Sequence, residues 1–253
     1  MNPLFGRPLL LLAFSLVVLW ISVQIGAKIA RRLRPPLEEE RDDLGLVINS
    51  SLTMLALIIG FSFSMAVNRY DQRKNYEEEE ANAIGTEYVR ADLLPAADGA
   101  KVKELLTQYL DRRLAFYVTR DPQELEQIND ETARLQDQMW SVVQRDAAAQ
   151  PTPITGLVVS GMNDVLNRQG YTQAAWWNRI PAGAWSLMMV LGICCSLLVG
   201  YGAHQKKGVL FSVLPFLLAI AFFLIADIDA PRRGIIRVAP QNLISLGESL
   251  HKQ

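Results

Sequence analysis

Thr53, Leu57, Phe61, Ser64 and Asn68 recur at steps of three or four residues, so on a helix they share one face. That face is unusual, with hydroxyl and amide groups at its ends and two large apolar side chains between them. Asn49, Ser50, Ser51 and Ser62 add to the polar load of the same segment, and Gly60 lies beside the stripe, where it would permit close helix approach. The chemistry open to such a face is ion passage. Set around a shared axis, Leu57 and Phe61 make stacked apolar rings with polar rings at either end, a constriction that can gate by dewetting. Packed inside a bundle formed by one chain, the same stripe would place its polar groups on neighbouring helices instead. The spacing leaves both placements open.

No other segment offers a reaction centre. The sequence has no Gly-rich phosphate loop, no nucleophile elbow, no zinc-ligand pair and no paired histidine, so neither an enzyme nor a bound cofactor or metal is expected. His204 in a turn and His251 near the end of the chain read as solvated. The run Glu77 to Glu80 could be imagined as a cation site. Consecutive acids splay around a helix, and the expectation is a solvated acidic turn. Cys194 and Cys195, the only cysteines, read as inert packing residues.

The elements that must position the stripe follow from the gaps between charges. Four uncharged stretches, each rich in Leu, Val and Ile, are long enough to cross a ~30 Å hydrocarbon core as helices of about 20 residues. A lone segment in lipid must satisfy its own backbone groups, which leaves helix as its form. The expected spans are residues 8–29, 45–68, 180–203 and 208–227. The apolar run of the first, Pro8 to Ala27, is too long for a signal sequence and is followed by Lys28, Arg31, Arg32 and Arg34 with no small-residue cleavage site, so it reads as a retained span.

Residues 69–178 change character. Between Arg69 and Arg179 stand 13 basic and 18 acidic residues, a net of −5, in a chain of 25 basic and 26 acidic residues overall. This acidic segment argues against nucleic acid as a partner. It reads as a train of amphipathic helices. The first continues the second span without a break, with Ala81, Ile84, Gly85 and Tyr88 on one face, and closes at Pro95. The second carries Val102, Leu105, Leu106, Tyr109 and Leu110. A third opens on Asp121 as cap, Pro122 in the first turn and Glu124 at the capping-box position. It buries Leu125, Ile128, Leu135 and Met139. A fourth places Ile154, Leu157, Val158, Gly161, Met162 and Val165 at helical spacing and stops near Gly170. Trp176 and Trp177 then suggest an interfacial belt at re-entry into the bilayer. Residues 228–253 form a basic amphipathic tail. The fold class is therefore an all-α membrane protein with four transmembrane helices and an all-helical soluble domain inserted between the second and third. Basic residues flank both sides of the spans, so charge alone leaves orientation open, with the short loops favouring their own side as cytoplasmic.

Gly60-Phe61 followed by Arg69-Tyr70-Asp71-Gln72-Arg73 resembles the second-span motif of bestrophins. The wider run Leu57 to Asp71, then Glu80 to Thr86 and Arg90 to Pro95, with Asp227-Ile228-Asp229 and Pro231-Arg232-Arg233-Gly234, resembles a bacterial family described as bestrophin-like. The resemblance implies a homopentameric anion channel in the cell inner membrane with the helical domain on the cytoplasmic side. It places the pore neck on Thr53, Leu57 and Phe61, the mouth and lining on Asn49, Gly60, Ser64 and Asn68, and the structural motif on Arg69, Tyr70, Asp71 and Arg73. The partners so implied are the lipid bilayer, further copies of the chain and inorganic ions.

Two departures from the bestrophin pattern stand out. Thr53 occupies the outermost neck position in place of a large apolar residue, which would leave that ring more hydrated. The acidic calcium clasp of animal bestrophins is reduced to Asp227 and Asp229 with Arg232 and Arg233 close behind, so calcium gating is not implied. Those aspartates are expected to pair with the arginines at a helix end. Two rival readings share the architecture: a stator-type energy-coupling subunit, and a non-conducting scaffold whose helical domain binds proteins. The scaffold would bury the stripe against the other spans of its own chain.

Overall fold

A computed structural model describes residues 7–32, 38–202, 210–250 and 252. The two short connections that the sequence places after the first and third spans, including Arg34, Pro35, Pro36, His204, Lys206 and Lys207, lie outside the described residues, as does His251. The described residues form α1 (Pro8–Arg32), α2 (Glu38–Arg90), a 3-10 turn (Ala91–Leu93), α3 (Ala96–Val118), α4 (Pro122–Ala149), α5 (Pro153–Trp177), α6 (Ala182–Gly202), α7 (Leu210–Asp229) and α8 (Gln241–Leu250). No strand occurs among them. Four stretches are long and apolar enough to cross a membrane, carried by α1, the first part of α2, α6 and α7.

The chain divides into two compact units, one of residues 1–68 and 179–236 and the other of 69–178 and 237–253. In the first, α1 packs on α6 and α7 through a line of Leu11, Ser15, Leu19, Ser22, Gly26 and Ala30. Small residues dominate that line because apolar helices in lipid gain association from close backbone approach, with no hydrophobic contrast to drive it. Ser15 and Ser22 return their hydroxyls to the carbonyls of Leu11 (2.7 Å) and Val18 (2.8 Å), so neither needs a partner elsewhere. A side chain at Gly26 would strike the carbonyl oxygen of Leu197, and one at Gly200 would strike that of Val23. Cys195 is buried, whereas Cys194 on the next position is exposed.

The second unit is built by local start signals and apolar faces. Asp121 caps α4 by accepting from the Gln123 N–H (3.0 Å) with Pro122 in the first turn. The reciprocal capping box belongs to α5, where Thr152 and Thr155 serve each other's backbone N–H groups. The core gathers Ile84, Leu106, Tyr109, Phe116, Met139 and Met162 with their neighbours. Three sequence expectations are corrected here. α5 does not stop near Gly170 but continues to Trp177, since Thr172, Ala175 and Trp176 supply a further buried turn. Its apolar stripe begins at Val158, with Ile154 and Leu157 exposed on the other side. Trp176 is no interfacial anchor: it is buried edge-on to Phe116 and Tyr117, at 5.0 and 5.3 Å between centroids, and only Trp177 is open, at 71 % exposure.

Candidate pore-lining face

On a wheel of 3.6 residues per turn, the buried residues of α2's apolar part, Leu55, Ser62 and Ala66, fall on one line. Thr53, Leu57, Phe61, Ser64 and Asn68 fall about 180° from it, and all five are exposed. Asn49 and Gly60, at the edges of the same arc, are exposed too. Phe61 keeps 67 % and Leu57 56 % of their surface. The stripe thus points directly away from the side of α2 that the chain covers. Ser62, counted with the polar load of the segment, lies on the covered side. Open space surrounds Gly60, so the close approach it permits is not used among the described residues.

This exposure is a property of α2 and not of every span. Of the most apolar window of α2 only 6 % is buried by the rest of the chain, against 33 % for α1 and 50 % for α7. Thr53 limits its own desolvation cost by donating to the Asn49 carbonyl at 2.8 Å. The amide side chains of Asn49 and Asn68 carry two donors and an acceptor each, which acyl chains cannot serve. A helix of this kind is stable in a membrane when its polar face meets water or further protein.

Beyond the stripe, α2 continues into the second unit through Arg69, Tyr70, Asp71 and Arg73. Tyr70 is half-buried against the core of that unit, Arg69 is half-buried, Asp71 is exposed and Arg73 is buried. The following run, Glu77 to Glu80, overturns the expectation of a solvated acidic turn. The four acids do splay, and the splay turns two of them inward. Glu80 is fully buried in an ion pair with Arg113, with Thr172 donating at 3.1 Å and Tyr117 at 3.4 Å to the same carboxylate. Burial works against the charged guanidinium, but the Glu80 carboxylate offsets this and holds Arg113 above its ordinary value. Burial, with Glu80 adding to it, also pushes the Tyr109 and Tyr117 phenols well up. Glu79 pairs with Arg168 at 2.6 Å, and only Glu78 faces solvent.

Glu77 is the remote cap of α8. Its carboxylate accepts from the Leu243 N–H (2.9 Å) and the Asn242 side-chain amide (2.7 Å), on the first turn of that helix. Orphan N–H groups and the positive end of the helix dipole make this a favourable place for a carboxylate. Replacing Glu77 with Ala should cost about 2 kcal/mol locally, the range for hydrogen bonds to a charged group. Amide hydrogen exchange of residues 241–250 would then rise roughly thirtyfold while α4 exchanges as before.

Asp227 and Asp229, expected at a helix end with arginines behind them, both accept from backbone N–H groups. Asp227 accepts from the N–H groups of Ile235 (2.7 Å) and Ile236 (2.8 Å), and both Asp229 oxygens accept from the Ile180 N–H (3.2 and 3.1 Å). The turn after α7 folds back and supplies the two donors to Asp227. Gly234 is required there because a side chain would strike the Asp227 carbonyl. Sequence pattern alone gave no signal for either inward acid or these backbone bonds.

The sequence profile of the Bestrophin-like domain matches residues 9–243. No curated protein matches the chain. Solved structures of variants of a bacterial bestrophin homologue from Klebsiella pneumoniae are similar in fold. One has a TM-score of 0.67 at 14 % identity over 97 % of each chain. Another has a TM-score of 0.65 at 14 % identity, covering 95 % of this chain and 94 % of the other. A crystal structure described only as a membrane protein gives a TM-score of 0.63 at 14 % identity over 95 % and 97 %.

Proposed function

Because the chain belongs to the bestrophin-like family, we propose that it is a homo-oligomeric ion channel whose pore is lined by α2. Thr53, Leu57 and Phe61 form the neck, Asn49, Gly60, Ser64 and Asn68 line its mouths, and Arg69, Tyr70, Asp71 and Arg73 continue the helix into the second unit. The assembly is a pentamer in the plasma membrane that passes anions, with residues 69–178 on the cytoplasmic side. The observation that carries this reading is the exposed polar and aromatic stripe, set opposite the covered line of the same helix. Copies placed around an axis bring the stripe to a common water-filled path, which answers the demand of Asn49 and Asn68 for hydrogen-bond partners. The rings of Leu57 and Phe61 then hold the path narrow and apolar. A scaffold would have buried the stripe within its own chain, and the stripe is open.

Liposomes containing the purified protein should take up chloride, and Leu57→Ala and Phe61→Ala should each raise the flux severalfold by removing one ring of apolar bulk. Absence of flux in the wild type and in both variants, or a monomeric particle in detergent, would refute the proposal.

A further inference from the structure

Glu87, on the part of α2 that lies in the second unit, has no exposed surface, and neither carboxylate oxygen has a hydrogen-bond partner among the described residues. It occupies a gap that exists because α5 has a glycine there: a side chain at Gly161 would overlap the Glu87 carboxylate and lie 2.5 Å from the Arg90 guanidinium. A neighbouring copy of the chain could not reach these oxygens without moving α2 or α5, since both are closed off within one protomer.

The surrounding charges do not compensate for this burial. On α2, Arg90 is three residues on and donates to the Leu157 carbonyl, at 3.5 Å, with no hydrogen bond to Glu87 among the described residues. On α5, Asp164 faces Glu87 with like charge, while Arg168 is held by Glu79. On α3, Lys103 lies over the Tyr88 ring at 4.9 Å and is held by Asp92. Burial pushes the Glu87 carboxyl up to about 8; Arg90 opposes the shift and Asp164 adds to it. Beside the carboxyl, a cavity of about 310 Å³ lined by Asn82, Thr86, Arg90, Gly161 and Asp164 opens to solvent. A small displacement of α5 would bring water from it to Glu87.

We propose that Glu87 is a proton-operated latch between α2 and α5, closed when its carboxyl is neutral against Gly161 and released when the carboxyl loses its proton to water. The proposal does not depend on ion conduction, because it concerns the second unit alone.

The closed form binds a proton that the open form, with an ordinary carboxyl, gives up across the range from about 4.5 to about 8. The closed form therefore loses stability as pH rises through this window, and the loss levels off above it. Hydrogen exchange of residues 153–177 in the full chain in detergent, corrected for intrinsic exchange, reads the opening directly. One proton per opening event predicts a rise approaching tenfold per pH unit in mid-range, or roughly four-hundredfold from pH 5 to pH 8. Glu87→Gln, which cannot ionise, should give a flat profile over the same range. Asp164→Asn keeps the latch and should move the levelling-off to lower pH. An infrared carbonyl band of a protonated carboxyl at pH 7, lost above pH 9 and absent from Glu87→Gln, would support the assignment independently. A flat wild-type profile, or parallel slopes in wild type and Glu87→Gln, would overturn it. So would the lack of that band should Glu87→Gln fail to fold.

Discussion

Replacing Arg113 with Met is expected to destabilise the helical unit by about 3–5 kcal/mol, the cost of leaving one member of a buried ion pair without the other. Glu80 and Arg113 are both fully buried, and the guanidinium also lies over the Phe116 ring at 4.4 Å. Once Arg113 is gone, Glu80 keeps only the Thr172 and Tyr117 hydroxyls. A domain of this size has a net stability of about 5–15 kcal/mol, so the loss is a large share of it. Denaturant unfolding of the purified chain, followed through tryptophan fluorescence, would measure it. The double replacement of Arg113 by Met and Glu80 by Leu should recover most of the loss, because an apolar pair of similar volume replaces a buried ion pair at little cost. If the double variant is no better than the single one, the cost lies in lost packing and not in the uncompensated charge.

The second large effect concerns the membrane unit. Gly200→Leu should destabilise the packing of α1 on α6 by about 3 kcal/mol, the upper part of the range for overpacked sites. The obstacle is the carbonyl oxygen of Val23, which is backbone within a helix and cannot turn aside as a side chain can. The two helices must separate, and the contacts of Ser22 and Val23 with α6 are lost along with the close approach. Gly26→Leu meets the Leu197 carbonyl from the opposite helix and should behave alike. Gly183→Ala, on α6 itself but with nothing within 4 Å, serves as the control and should leave the unit unchanged. Thermal unfolding in detergent, compared across the three variants, decides the matter.

Both results depend on features of different legibility. The α1–α6 approach runs along Ser22, Gly26 and Ala30 at steps of four, a spacing too common in apolar helices to single out from sequence. The helix start at Pro122 was legible, because a cap and a proline act within one turn. The reach of α5 past Gly170 was not. A glycine weakens a helix by only about 1 kcal/mol relative to Ala, and the buried turn from Thr172 to Trp176 outweighs that. The pair of tryptophans misled for a similar reason: indole suits a bilayer interface and a protein core alike, and the aromatic neighbours Phe116 and Tyr117 that claim Trp176 come from another helix.

By itself the sequence determined the four apolar stretches, the helical periodicity throughout, and the angular relation of Thr53, Leu57, Phe61, Ser64 and Asn68 on α2. Each of these depends on spacing along one chain segment, where 3.6 residues per turn fixes which side chains share a face. Only the tertiary structure decided which way that face points, that Glu77 and Glu80 turn inward, and that Asp227 holds backbone. The inward acids depend on partners distant in the chain, Arg113 lying 33 residues from Glu80 and Asn242 165 from Glu77, and Asp227 depends on a turn that folds back eight residues on. A carboxyl can stay charged in the core only where such a partner arrives, and periodicity gives the direction of a side chain without saying what waits there.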